Sequence, residues 1–133
     1  MSYSSLDRRA FFATGAALTA SLLSSRSFAQ SSDPTGLSIA QAGILIRSGD
    51  LSPVDLVQAY LERVARLDSR LNSFITLTAE RAMQRSRELE AEMANGHWRG
   101  PLHGIPIALK DNIDTAGVRT TAGSALFADR IPD

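Results

Sequence analysis

Apolar residues return at helical spacing in three stretches of the chain. The first follows Ser38, a residue suited to an N-cap, and sets Ile39, Ala42, Leu45 and Ile46 on one face before Gly49 ends it. The second opens at Ser52-Pro53, where the serine can cap and the missing proline N–H is harmless, with Asp55 three residues after the cap. Its stripe is Val54, Val57, Leu61 and Val64, flanked by Leu56, Tyr60 and Leu67, with Glu62 and Arg66 spaced to pair on the wet side. The third runs from Ala79 to about Met93 behind a Thr78 cap and stops at Asn95-Gly96. Its outward charges, Arg81, Arg85, Arg87, Glu88, Glu90 and Glu92, read as a solvated face, and Trp98 beyond the stop reads as a corner-packing residue.

Two further runs have strand character. Leu71 to Leu77 is short, β-branched and aromatic, and Ile105 to Leu109 is a continuous apolar run of the kind that fills a buried strand. Pro106 is compatible with that second strand only at an edge or at its first position. Helix, helix, strand, helix, strand is an α/β order and predicts a sheet that is at least partly parallel. Two strands do not make a stable buried sheet, and Asp129 to Asp133 reads as the start of another loop, so the chain is expected to be the front of something longer.

The first residues follow a different pattern. Asp7-Arg8-Arg9-Ala10-Phe11-Phe12 is a paired-arginine segment, and Ala10 to Leu23 is apolar and small, too short to span a membrane. Ser27-Phe28-Ala29 gives a small-x-small cleavage pattern with Gln30 as the mature start. Together with Arg26, these features resemble a bacterial twin-arginine export signal, although Asp7 stands where a hydroxyl residue is usual and Phe12 where leucine is common. The expected organisation is therefore a signal at 1–29, a flexible polar lead-in at 30–36 and a folded portion at 37–133. An exported protein, periplasmic or secreted, is implied, with no membrane anchor left after cleavage.

Composition narrows the chemistry. The 133 residues fit about one domain, and 14 basic residues balance 14 acidic ones. Loss of Arg8, Arg9, Arg26 and Asp7 with the signal would leave eleven basic and thirteen acidic side chains, a charge of about −2. Neither state has the basic excess of a nucleic-acid binder. The absence of cysteine excludes disulfides, thiolate metal sites and a cysteine nucleophile, and two histidines are too few for a histidine-rich metal site. No cofactor is expected.

The most informative stretch is Gly100 to Ser124, Gly-Pro-Leu-His-Gly-Ile-Pro-Ile-Ala-Leu-Lys-Asp-Asn-Ile-Asp-Thr-Ala-Gly-Val-Arg-Thr-Thr-Ala-Gly-Ser. Lys110 is the only lysine in the chain, and the other thirteen cationic side chains are arginines. A lysine where a strand leaves the core can give up its proton, which arginine cannot do, and a general base needs that property. The alternative is an ordinary salt bridge from Lys110 to Asp111, Asp114 or an acid elsewhere.

The Gly100 to Ile113 segment, with Thr120-Thr-Ala-Gly-Ser behind it, resembles the N-terminal part of the amidase signature family, and the Ser52-Pro53 helix and Leu71-Asn72-Ser73-Phe74 are similar to that family's lead-in. The resemblance covers roughly Leu37 to Asp133. It implies N-terminal helices plus the first strands of a mixed, mostly parallel sheet, incomplete in this chain. It also implies hydrolysis of a small carboxamide substrate by a nucleophilic serine, a bridging serine on a cis peptide and a lysine, the last falling on Lys110. Both serines belong to a Gly/Ser-rich signature that these residues lack, so the chain alone is expected to hydrolyse nothing. Ser124 is a poor substitute, because Ala-Gly-Ser lacks the flanking glycines of a nucleophile elbow, and His103 reads as a packed loop residue. Other readings are a glutamine-dependent amidotransferase subunit of the same family, an exported binding module with a structural Lys110, and a Schiff-base lysine.

Overall fold

The computed structural model describes residues 33–133, and the expected signal at 1–29 lies outside them. A 3-10 turn, Pro34–Gly36, leads in, closed by Asp33, whose side chain accepts from the Thr35 N–H. Helix α1 spans Ile39–Ser48. Ser38 and Gln41 form a reciprocal capping box at its start, and Gly49, at φ +81°, supplies the left-handed residue that stops it. Helix α2 spans Pro53–Leu71 with Ser52 as cap and proline at the first position. Helix α3 spans Ala79–Ala94, and Thr78 stands at its cap position without a side-chain bond to the helix.

The core lies where α1 and the start of α2 meet. Ile46 and Leu56 are each 1 % exposed and Ala42 is buried beside them. Burying each of the two large side chains is worth about 1.5–3 kcal/mol. Leu37, Leu51, Tyr60, Met93, Trp98 and Ile105 pack around this centre. The face of α1 is shifted from the expected one: Ile39 is exposed and Gly43 is buried. Gly43 is needed there because a Cβ would lie 2.9 Å from the carbonyl oxygen of Pro101. The Pro101–Gly104 turn thus sits directly on α1. Gly104, at φ +78°, closes that turn against Pro53, whose side-chain carbons would be 2.8 and 3.0 Å from an added Cβ.

Helices α2 and α3 pack on one another. Glu90 of α3 accepts a short hydrogen bond from the Ser52 hydroxyl, which itself accepts from Val54 and Asp55 N–H. Glu92 holds Arg99 through two bonds of 2.5 and 2.6 Å. The charged face of α3 is therefore solvated in part and tied down at these two glutamates. The expected Glu62–Arg66 pair does not form; Glu62 accepts from Gln58 at 2.9 Å instead.

Neither expected strand is present among the described residues, and the mixed, mostly parallel sheet is not formed there. At 71–77 the helix runs on to Leu71 and is stopped by Asn72 in the left-handed region, at φ 48°. The Asp68 carboxylate then accepts from the N–H groups of Ser73 and Phe74, which removes donors that a ladder would use. At 105–109 no backbone hydrogen bond joins Ile107, Ala108 or Leu109 to another described residue. Ile107 is 71 % and Leu109 52 % exposed. A strand exists only by pairing, and this apolar run has no partner strand on either edge among the described residues.

A candidate active site around Lys110

Past the open run at Ile107 to Leu109, the chain folds back through a series of turns. The Lys110 carbonyl accepts from the Ile113 N–H at 2.9 Å, so the lysine stands at the first position of a turn. Its side chain is exposed. Asp111, next along, faces the Thr120–Ser124 segment. Its carboxylate oxygens each accept from the Thr121 N–H at 3.1 Å, and one of them also takes the Thr121 hydroxyl at 2.5 Å and the Gly123 N–H at 3.3 Å. The Asp111 carbonyl accepts from the Ala122 N–H at 2.9 Å. The Thr121 hydroxyl and N–H, with lesser help from Gly123 N–H and the Arg119 charge, hold the Asp111 carboxyl below the usual carboxylate range against some desolvation.

Asp114 is engaged in the other direction. Arg130 meets it through two bonds of 2.6 and 2.5 Å, and these pull its carboxyl below the ordinary range. The Arg130 carbonyl accepts from the Thr120 N–H at 3.0 Å, and the Gly117 N–H bonds the Pro132 carbonyl at 2.9 Å. Arg119 reaches the Ile75 carbonyl at 3.2 Å and Arg81 of α3 reaches the Ala116 carbonyl at 3.2 Å, anchoring these turns to the helical part. The two acids that offered Lys110 a salt bridge are thus committed to other donors. Among the described residues Lys110 makes no ion pair.

The two other side chains weighed from the sequence stand apart from this arrangement. His103 is 3 % exposed, with Nδ1 accepting from the Arg99 N–H at 3.1 Å and Nε2 at 2.9 Å from the Leu89 carbonyl. Because Nδ1 accepts, the ring proton is on Nε2 and is donated to α3. The ring stacks on Trp98 with centroids 5.1 Å apart, so both rings are packing elements of a corner. The Ser124 hydroxyl accepts from the Leu126 N–H at 3.3 Å and caps a 3-10 turn, Ala125–Phe127. Among the described residues no group of three or more His, Asp or Glu is placed to hold a metal ion.

The sequence brought out Lys110 and missed what Asp111 does. Asp111 stood there only as a possible partner for the lysine. A signal existed in the spacing: an aspartate ten residues before Thr121-Ala-Gly can close the loop by accepting from backbone N–H groups, as aspartate does in turns.

Known proteins share this stretch of chain. A family model described as Amidase matches residues 55–133. The chain is 39 % identical over 100 residues to the A subunit of glutamyl-tRNA(Gln) amidotransferase from Salinispora tropica, covering 75 % of this chain and 20 % of that protein. It is 40 % identical over 88 residues to the protein of the same name from Moorella thermoacetica, covering 66 % and 18 %. With the counterpart from a Synechococcus strain it shares 46 % over 81 residues, covering 61 % and 16 %. The chain thus spans about a fifth of the length of the curated relatives it matches. No solved structure matches it.

Proposed function

The chain belongs to the amidase family, and from that premise we propose that it is the N-terminal portion of a carboxamide hydrolase and supplies its general base, Lys110. In this reading the Lys110 amine takes a proton through a bridging serine from a nucleophilic serine, both contributed by the remainder of the amidase domain. The serine oxygen attacks the amide carbon, backbone N–H groups hold the resulting oxyanion, and the C–N bond breaks as the proton passes to the departing amine. Water then hydrolyses the acyl ester by the reverse proton path, releasing a carboxylic acid and restoring the serine.

The observation that carries this reading is the commitment of Asp111 to Thr121 and of Asp114 to Arg130, which leaves the sole lysine free of both nearby acids. The test is Lys110→Arg in the complete amidase domain. Loss of a positioned general base lowers kcat by about 10²–10⁴-fold, with the circular dichroism spectrum unchanged. A variant that keeps its kcat overturns the assignment. The 133-residue chain by itself, lacking the Gly/Ser-rich signature, has no turnover in this reading.

Two substrate classes follow. The relatives' names favour ammonia release from glutamine for a transfer-RNA amidotransferase, in company with other subunits. Residues 1–29, as a twin-arginine signal, favour an exported enzyme acting on a small free amide. The signal pattern is what distinguishes this chain's reading from the relatives' names, because transfer-RNA chemistry is cytoplasmic, and the exported small-amide hydrolase is the reading adopted. Glutaminase activity that rises with a misacylated transfer RNA would reverse that choice.

A further inference from the structure

The Lys110 side chain makes no hydrogen bond among the described residues, so its place is inherited from the backbone that carries it. That backbone is fixed on one side by the Ile113-to-Lys110 turn. On the other side it is fixed by Asp111, on whose carboxylate the Thr121 N–H, the Thr121 hydroxyl and the Gly123 N–H converge, while its carbonyl takes the Ala122 N–H. Thr120 and Thr121 are buried. Ala122 and Gly123 both lie at positive φ, 51° and 67°, and a non-glycine residue keeps that conformation only where its surroundings over-determine it. The convergence of donors on Asp111 is what does so here. The turn closes around the carboxylate as an anion nest closes around an ion, with the anion supplied by the chain.

We propose that Asp111 is a positioning residue for Lys110, and that the Asp111–Thr121 clasp sets the backbone from which the lysine reaches the reacting serines. The role rests on the reading of Lys110 as general base. The clasp needs two acceptor oxygens and the Thr121 hydroxyl. Asparagine supplies only one of those oxygens, valine removes the hydroxyl at constant size, and serine keeps it.

Because Lys110 is the only lysine, ¹⁵N-lysine labelling of the chain gives a single backbone amide signal that needs no assignment. Wild type and Thr121→Ser should give a rigid order parameter near about 0.85, and Asp111→Asn and Thr121→Val a value below about 0.6. In the complete amidase domain the latter two should lose on the order of 10²-fold in kcat with KM held within about twofold, and Thr121→Ser should retain both. An unchanged lysine amide in Asp111→Asn and Thr121→Val overturns the proposal, as does full kcat in both. If Asp111→Asn does not fold, the Thr121→Val and Thr121→Ser pair decides the matter. Lys110→Arg separates the two claims. Full activity there refutes the general base itself, whereas an inactive Lys110→Arg beside a fully active Thr121→Val refutes only the clasp.

Discussion

Gly43→Ala should destabilise the chain, although helix propensity alone points the other way. Gly43 is inside α1, where replacing glycine by alanine ordinarily gains about 0.5–1 kcal/mol. Here the new Cβ would be 2.9 Å from the Pro101 carbonyl oxygen, closer than real contacts allow, and the obstacle is backbone. Either α1 or the Pro101–Gly104 turn has to move, and overpacking of this sort costs about 1–3 kcal/mol. The balance is a loss of about 1 kcal/mol, which for a domain of this size lowers Tm by about 4–8 °C. Thermal and urea unfolding followed by circular dichroism would measure it. Gly36→Ala is the control: nothing lies within 4 Å of its Cβ position, and the change should stay within about 0.5 kcal/mol. A Gly43→Ala protein more stable than wild type would refute the docking of the turn on α1.

Acid should weaken the chain through its hydrogen-bonded aspartates. Hydrogen bonds from Ser73, Thr121 and Arg130 depress the folded pKa of Asp68, Asp111 and Asp114 respectively. Their stabilisation is complete above the unfolded carboxylate value of about 3.9 and disappears as pH falls through the lower folded values. The urea midpoint should be flat from about pH 7 to 5 and decline below about pH 4, with a shallower decline in Asp111→Asn; an equal decline in that variant would count against the clasp. For the N-terminus, residues 1–36 fused to a folded reporter should direct it to the periplasm, and Arg8→Lys with Arg9→Lys should abolish export. Cytoplasmic retention of the parent fusion would remove the exported reading.

The helices were legible because each carried its own punctuation. Ser38, Ser52, Pro53 and Gly49 act locally, and their hydrogen bonds are made within a few residues. Leu71 to Leu77 was misread for a related reason: its β-branched composition says strand, but Asp68 and a left-handed Asn72 settle the backbone first. Ile105 to Leu109 failed differently. Its pattern describes a residue set that needs neighbours, and pairing is not a property of the segment carrying the pattern. Lys110 was conspicuous by its uniqueness, whereas Asp111 was one acid among fourteen, and its function lay in a turn ten residues away.

Trp98 is the chain's only tryptophan, and its setting gives it an optical use. The indole lies against the imidazole of His103, from the turn docked on α1, while the guanidinium of Arg47, from α1 itself, sits 5.8 Å from its ring centre. Emission excited selectively from this ring therefore responds to the joint between α1 and the turn that leads to Lys110. It does so independently of the far-ultraviolet signal, which counts helical residues. Where the two signals part during unfolding, the joint has opened before the helices have melted.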